Sequence, residues 1–100
     1  MTGVCNDKDI DRIYAPLLPL VDTVYTVTPA VERALNDEEL SRFFHAKGLA
    51  SHPCGSVAAG ICEARSHSFD GDLILVCGSL FLVGEVKAWL EQVDYTGIRG

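Results

Sequence analysis

Residues 72–90, DLILVCGSLFLVGEVKAWL, decide how this chain folds. Leu73 to Cys77 is an unbroken apolar run closed at both ends by turn-forming residues, Asp70-Gly71-Asp72 before it and Gly78-Ser79 after it. A strand buried on both faces has this composition, which places the run centrally in a parallel sheet. Beyond Gly78-Ser79 the apolar residues Leu82, Val83, Val86, Trp89 and Leu90 recur at helical spacing, which predicts a helix from about Phe81 to Gln92. Strand, tight glycine turn, helix is the repeating unit of an α/β domain.

Working outward, the same alternation extends to the first residues. Asp9 is a candidate N-cap for a helix carrying Ile10, Ile13, Tyr14 and Leu17, which Pro16 and Pro19 should kink or end. The β-branched run Thr23 to Val27 (TVYTV) reads as a strand closed by Pro29. Asn36 with Glu39 forms a capping box, and Leu35 with Leu40 a hydrophobic staple. Leu40, Phe43 and Phe44 supply the buried stripe of that helix, and Gly48 suits its end. A short extended piece follows around Leu49 to His52, and Ser56 then caps a helix with Val57, Ile61 and Ala64 on its inner face. The tail YTGIRG reads as frayed. The sum is an α/β, Rossmann-like three-layer fragment with a mostly parallel sheet, read as one domain over residues 1–100. The strand that should precede Gly3 is missing from this pattern, so a three-stranded sheet with exposed edges is expected, and self-association through such an edge with it.

Composition excludes several classes. The net charge of −6 and the scatter of eight basic residues argue against nucleic acid as a partner and against an anionic membrane surface. No run approaches the roughly 20 apolar residues that span a bilayer, and no basic start leads into an apolar stretch, so a cytoplasmic protein is expected. The cysteines at 5, 54, 62 and 77 lack C-x-x-C spacing and read as reduced, small hydrophobes, with 62 and 77 inside apolar patterns. His52-Pro53-Cys54 lacks a second ligand pair and reads as a surface loop rather than a metal site.

In open α/β sheets, ligands bind beyond the carboxyl ends of the strands. The loops Gly3 to Asp9 and Gly78-Ser79 hold that position and offer N–H groups, with a cation at Lys8 and a hydroxyl at Ser79, which suits a carboxylate. Each residue also has a plainer use: Lys8 as a solvated surface cation, Ser79 as an N-cap, the glycines as turn formers. There is no phosphate-loop motif, no Ser-His-Asp order and no metal cluster in the sequence.

Three stretches, taken in order, point to a family. Gly3 to Ile10 (GVCNDKDI), Thr26 to Leu35 (TVTPAVERAL) and Gly78 to Val86 (GSLFLVGEV) resemble segments of the C-terminal domain of the folylpolyglutamate and dihydrofolate synthases, members of the Mur ligase superfamily. The resemblance implies ATP-dependent formation of a folate acyl phosphate, attacked by the amine of L-glutamate, with ATP and Mg²⁺ held in a cleft between two domains. It implies glutamate contacts for Lys8 and Ser79, with Asp7 and Asp9 as supporting neighbours, and assigns no role to Arg33. The nucleotide- and Mg²⁺-binding N-terminal ATPase domain and the D-G-A-H-N segment of that family are not in this sequence. The chain alone is therefore expected to bind neither cofactor and to be inactive, with no catalytic residue of its own. The alternative is a non-catalytic binding or interaction module derived from such a ligase.

Overall fold

The computed structural model describes residues 1–99, with side chains through Gln92. It is an α/β arrangement in three layers. Strand β1 (Thr23–Val27) pairs in parallel with β2 (Ala50–Gly55), with a register shift between Thr26 and Val27. Helices α1 (Ile10–Tyr14) and α2 (Asp37–Ala46) lie against one face. Helices α3 (Val57–Ser66) and α4 (Leu80–Arg99) lie against the other. The period-2 alternation of β1 separates two cores. Val24 joins Val4, Tyr14, Leu40 and Phe44 on the α1/α2 side, whereas Tyr25 and Val27 join Met1, Val57, Ile61, Leu82 and Val86 on the α3/α4 side.

The caps form where the sequence puts them. The Asn36 side chain accepts from Glu38 N and Glu39 N, and Ser56 Oγ from Ala59 N. Gly48, at φ +84, ends α2 with the paired bonds Leu49 N to Phe44 O and Gly48 N to His45 O, a Schellman motif. Asp9 caps α1, which stops at Tyr14; a 3₁₀ turn over Leu18–Leu20 carries the chain past Pro16 and Pro19.

The slot of the strand expected before Gly3 is filled over its last residues by the start of the chain. Thr2 N donates to Tyr25 O and Val27 N to Thr2 O, so Thr2 lies parallel to β1; on its other side it bridges in parallel to Cys77. The lateral order is β2, β1, Met1–Thr2, Leu75–Cys77.

That order corrects the reading of Leu73 to Cys77 as a central strand. The segment lies at the outer margin, and Cys77 alone of it forms a ladder bridge among the described residues. Leu73 is 91% exposed and Leu75 48%. A run needs a neighbour on each side to become a buried strand, and among the described residues Met1 and Thr2 flank it on one side alone. Three smaller expectations also change. His52-Pro53-Cys54 lies within β2 rather than in a loop. A proline is accommodated there because β2 is an edge strand and no inner ladder bond is lost. Cys62 is exposed, since it falls on the outer side of α3. Helix α4 starts at Leu80 and continues to Arg99, so the tail expected to fray is helical through that residue; Gly100 lies outside the described residues.

Candidate functional site

All four parallel segments end at the same side of the sheet, and four connections leave from there. These are residues 3–9, residues 28–36, the Gly55-Ser56 step into α3, and the Gly78-Ser79 step into α4. The first two are sewn together by backbone. Asn6 N donates to Arg33 O at 2.6 Å, Leu35 N to Val4 O at 2.8 Å, and Cys5 bridges antiparallel to Ala34. Arg33 Nη1 sits 3.5 Å from Asp7 Oδ2, an ion pair with both side chains open to water. Such a pair contributes about 0–1 kcal/mol and chiefly orients the two chains.

The first and last connections touch at Gly78. Its φ is +118, and a Cβ there would fall 2.6 Å from both Gly3 O and Thr2 Oγ1 and 3.0 Å from Tyr14 Oη. Only glycine satisfies both the left-handed backbone and that approach. Glycine at this point therefore serves the contact between the two loops expected to hold a carboxylate.

The individual side chains are placed as follows. Lys8 is exposed in the turn closed by its own N–H to Cys5 O at 3.3 Å, and its ammonium makes no ion pair among the described residues. Asp7 faces Arg33, and Asp9 Oδ1 accepts from Arg12 N at 3.3 Å as the cap of α1. Ser79 is buried, with its Oγ accepting from Phe81 N at 3.1 Å at the start of α4. That is the N-cap use. A hydroxyl that accepts one bond retains its proton for donation, so capping and ligand contact are compatible. The two loops share one end of the sheet, but no hydrogen bond joins Lys8 to Ser79 among the described residues.

Two polar groupings beneath these loops escape a reading of the sequence. The first is Asp37, at the start of α2 and only 8% exposed. Its Oδ1 accepts from Thr28 Oγ1 at 2.8 Å and its Oδ2 from Gly55 N at 2.9 Å, while its carbonyl accepts from Thr26 Oγ1 at 2.8 Å. One carboxylate thus ties the carboxyl ends of β1 and β2 to α2. The signal available in the sequence is the Thr26-x-Thr28 spacing, which puts two hydroxyls on one face of a strand. The second is Tyr14, 2% exposed, whose hydroxyl lies 2.5 Å from Thr2 Oγ1. Burial pushes its phenol up to about 12, against a smaller opposing effect of the Thr2 hydrogen bond.

The two loops offer the exposed Lys8 ammonium, the Ser79 hydroxyl and backbone N–H groups, donors that suit an anionic group. No group of three or more His, Cys, Asp or Glu among the described residues is placed to hold a metal ion. No helix among the described residues is long and apolar enough to cross a membrane.

Comparison with known proteins gives the same direction as the three motifs. The chain is 30% identical over 91 residues to a dihydrofolate synthase/folylpolyglutamate synthase of Haemophilus influenzae, covering 89% of this chain and 21% of that protein. It is 34% identical over 93 residues to a probable bifunctional folylpolyglutamate synthase/dihydropteroate synthase of Haloferax volcanii, covering 91% of this chain and 11% of that protein. A Buchnera aphidicola dihydrofolate synthase/folylpolyglutamate synthase is 26% identical over 96 residues. The chain thus spans about a fifth or less of the length of the curated relatives it matches. No family model and no solved structure matches it.

Proposed function

From its relationship to a segment of the dihydrofolate and folylpolyglutamate synthases, we propose that this chain is the glutamate-handling C-terminal part of such a ligase. The carrying observation is that its two family-like loops, Gly3 to Asp9 and Gly78-Ser79, meet at the carboxyl end of a parallel sheet through the Gly78 contact. In the parent enzyme ATP and Mg²⁺ would activate a folate carboxylate; here the Lys8 ammonium and the Ser79 hydroxyl would receive a carboxylate of L-glutamate. Asp7 and Asp9 support from either side of Lys8. Asp7 is held by Arg33, and Asp9 fixes the start of α1. The unpaired state of all four cysteines fits a reducing compartment, and the cytoplasm is where we assign it.

Titrating the chain with L-glutamate while following backbone amide shifts tests the site. Saturable shifts at Asn6 to Asp9 and at Gly78-Ser79, abolished by Lys8→Ala, are expected. Shifts absent from both loops would remove the glutamate reading. Phosphate release from ATP in the presence of folate and glutamate should stay at background for the chain alone, because catalysis of phosphoryl transfer depends on positioned metal and phosphate contacts.

A second reading, a non-catalytic interaction module, draws on the open margin at Leu73 to Leu75. An unpaired apolar edge favours pairing with another strand, including that of a second copy.

A further inference from the structure

The hydroxyls of Tyr14 and Thr2 are 2.5 Å apart, and Thr2 Oγ1 is 2.6 Å from the carbonyl of Cys77. A threonine hydroxyl has one proton. The Cys77 carbonyl can only accept, so that proton goes to it, and the Tyr14 O–H must donate to Thr2 Oγ1. The chain of bonds runs one way, from Tyr14 through Thr2 to Cys77. Its two ends are informative. Tyr14 is the last residue of α1, the helix that begins where the Lys8 loop stops, and Cys77 is the last residue before the Gly78-Ser79 turn. Gly78 faces the middle of that chain of bonds: a Cβ there would fall 2.6 Å from Thr2 Oγ1 and 3.0 Å from Tyr14 Oη.

We propose that Tyr14 is a positioning residue of the candidate site: its hydroxyl, acting through Thr2, sets the separation of the Lys8 loop from the Ser79 turn. It touches no ligand. The inference rests on the glutamate reading only for what the separation serves; the mechanical coupling stands on the geometry. The ring has a separate duty, packing against Phe44 and Phe43 at centroid distances of 4.8 and 6.0 Å, and that duty survives loss of the hydroxyl. A purely structural tyrosine would transmit nothing to Asn6–Lys8 or to Ser79, none of which hydrogen-bonds Tyr14 or Thr2.

The test compares Tyr14→Phe, Thr2→Val and Thr2→Ser with the unaltered chain by amide hydrogen exchange and by L-glutamate titration. Tyr14→Phe and Thr2→Val are expected to speed exchange at Asn6, Lys8 and Ser79 about tenfold, with the α2 and α3 amides unchanged. They should weaken glutamate binding about tenfold. Thr2→Ser keeps the hydroxyl and should restore both. Unchanged exchange at Asn6, Lys8 and Ser79 in the variants would overturn the proposal, as would equal glutamate affinity in all four proteins. Should the unaltered chain show no glutamate response, the ligand reading fails and the exchange data still decide the coupling. If Tyr14→Phe fails to fold, the Thr2→Val and Thr2→Ser pair decides alone.

Discussion

Asp37 and Asn36 are neighbours, and only one of them is legible in the sequence. Asn36 announces itself through its spacing to Glu39 and caps α2 as that spacing requires. Asp37 reads as one more acidic residue in a first helical turn, where it would face water. Its burial is decided by the ends of β1 and β2, which approach it only in the folded chain. Replacing it with alanine removes the charged acceptor of the part-buried Thr28 hydroxyl and Gly55 N–H, and hydrogen bonds to a charged group contribute about 1.5–3 kcal/mol each. Asp37→Ala is therefore expected to lower the stability found by urea denaturation by about 3 kcal/mol. Asp37→Asn should also destabilise, because the amide offers one acceptor oxygen where the carboxylate uses two, for Thr28 and for Gly55.

Tyr14 gives the pH dependence at the same scale. Its folded pKa is about 12, above the ordinary 10, so the folded state holds the phenolic proton more tightly. The associated stability is present in full below pH 10 and is lost as pH rises through 12, an effect of about 3 kcal/mol. Denaturation midpoints measured between pH 9 and 12 should fall less steeply for Tyr14→Phe than for the unaltered chain. Equal slopes would show that this phenol does not titrate late.

Among the elements, those with local punctuation were readable. Asn36 and Gly48 bracket α2, Ser56 opens α3, and the β-branched run of β1 coincides with the strand. Gly48 is open to solvent but left-handed, so Gly48→Ala should cost about 1 kcal/mol from backbone strain alone. Gly60 is the opposite case. Its backbone is ordinary, but a Cβ would fall within van der Waals radii of Val27 Cγ1 and 3.2 Å from Met1 Cε. Gly60→Ala pries α3 from β1 and should destabilise by about 1–3 kcal/mol, lowering the calorimetric midpoint by several degrees. A melting point within a degree of the original would show that Val27 relaxes freely. The element that misled is Leu73 to Cys77. Its composition is that of an inner strand, and composition says nothing about how many neighbours a strand finds.

At the scale of the whole molecule that run becomes a surface. Leu73 and Leu75 stand open along the sheet margin, with Phe69, Leu80 and Phe81 also exposed. Exposed apolar edges of this kind pair with other chains. Light scattering across a concentration series should show a rising mean mass, suppressed in a Leu73→Lys, Leu75→Lys double variant because charges on an edge oppose pairing. A constant monomer mass in the unaltered chain would exclude association through this edge. The family relationship and the layered α/β plan were accessible from motifs and periodicity. The lateral order was not, since it depends on which distant segments find each other.

Thr2 lying between Thr26 and Cys77 also fixes an order of events. As a nascent chain leaves the ribosome, β1, β2 and the helices between and after them can assemble once residue 66 is out. The groove beside Cys77 closes only some eleven residues later, by joining partners separated by 75 positions. With the core already assembled, that step closes only the short segment after α3, but pairing residues so far apart in sequence raises the contact order, which slows folding. Until then Thr2 has a partner on one side alone, and the open margin of Met1–Thr2 is the surface on which a chaperone or a misplaced strand would act.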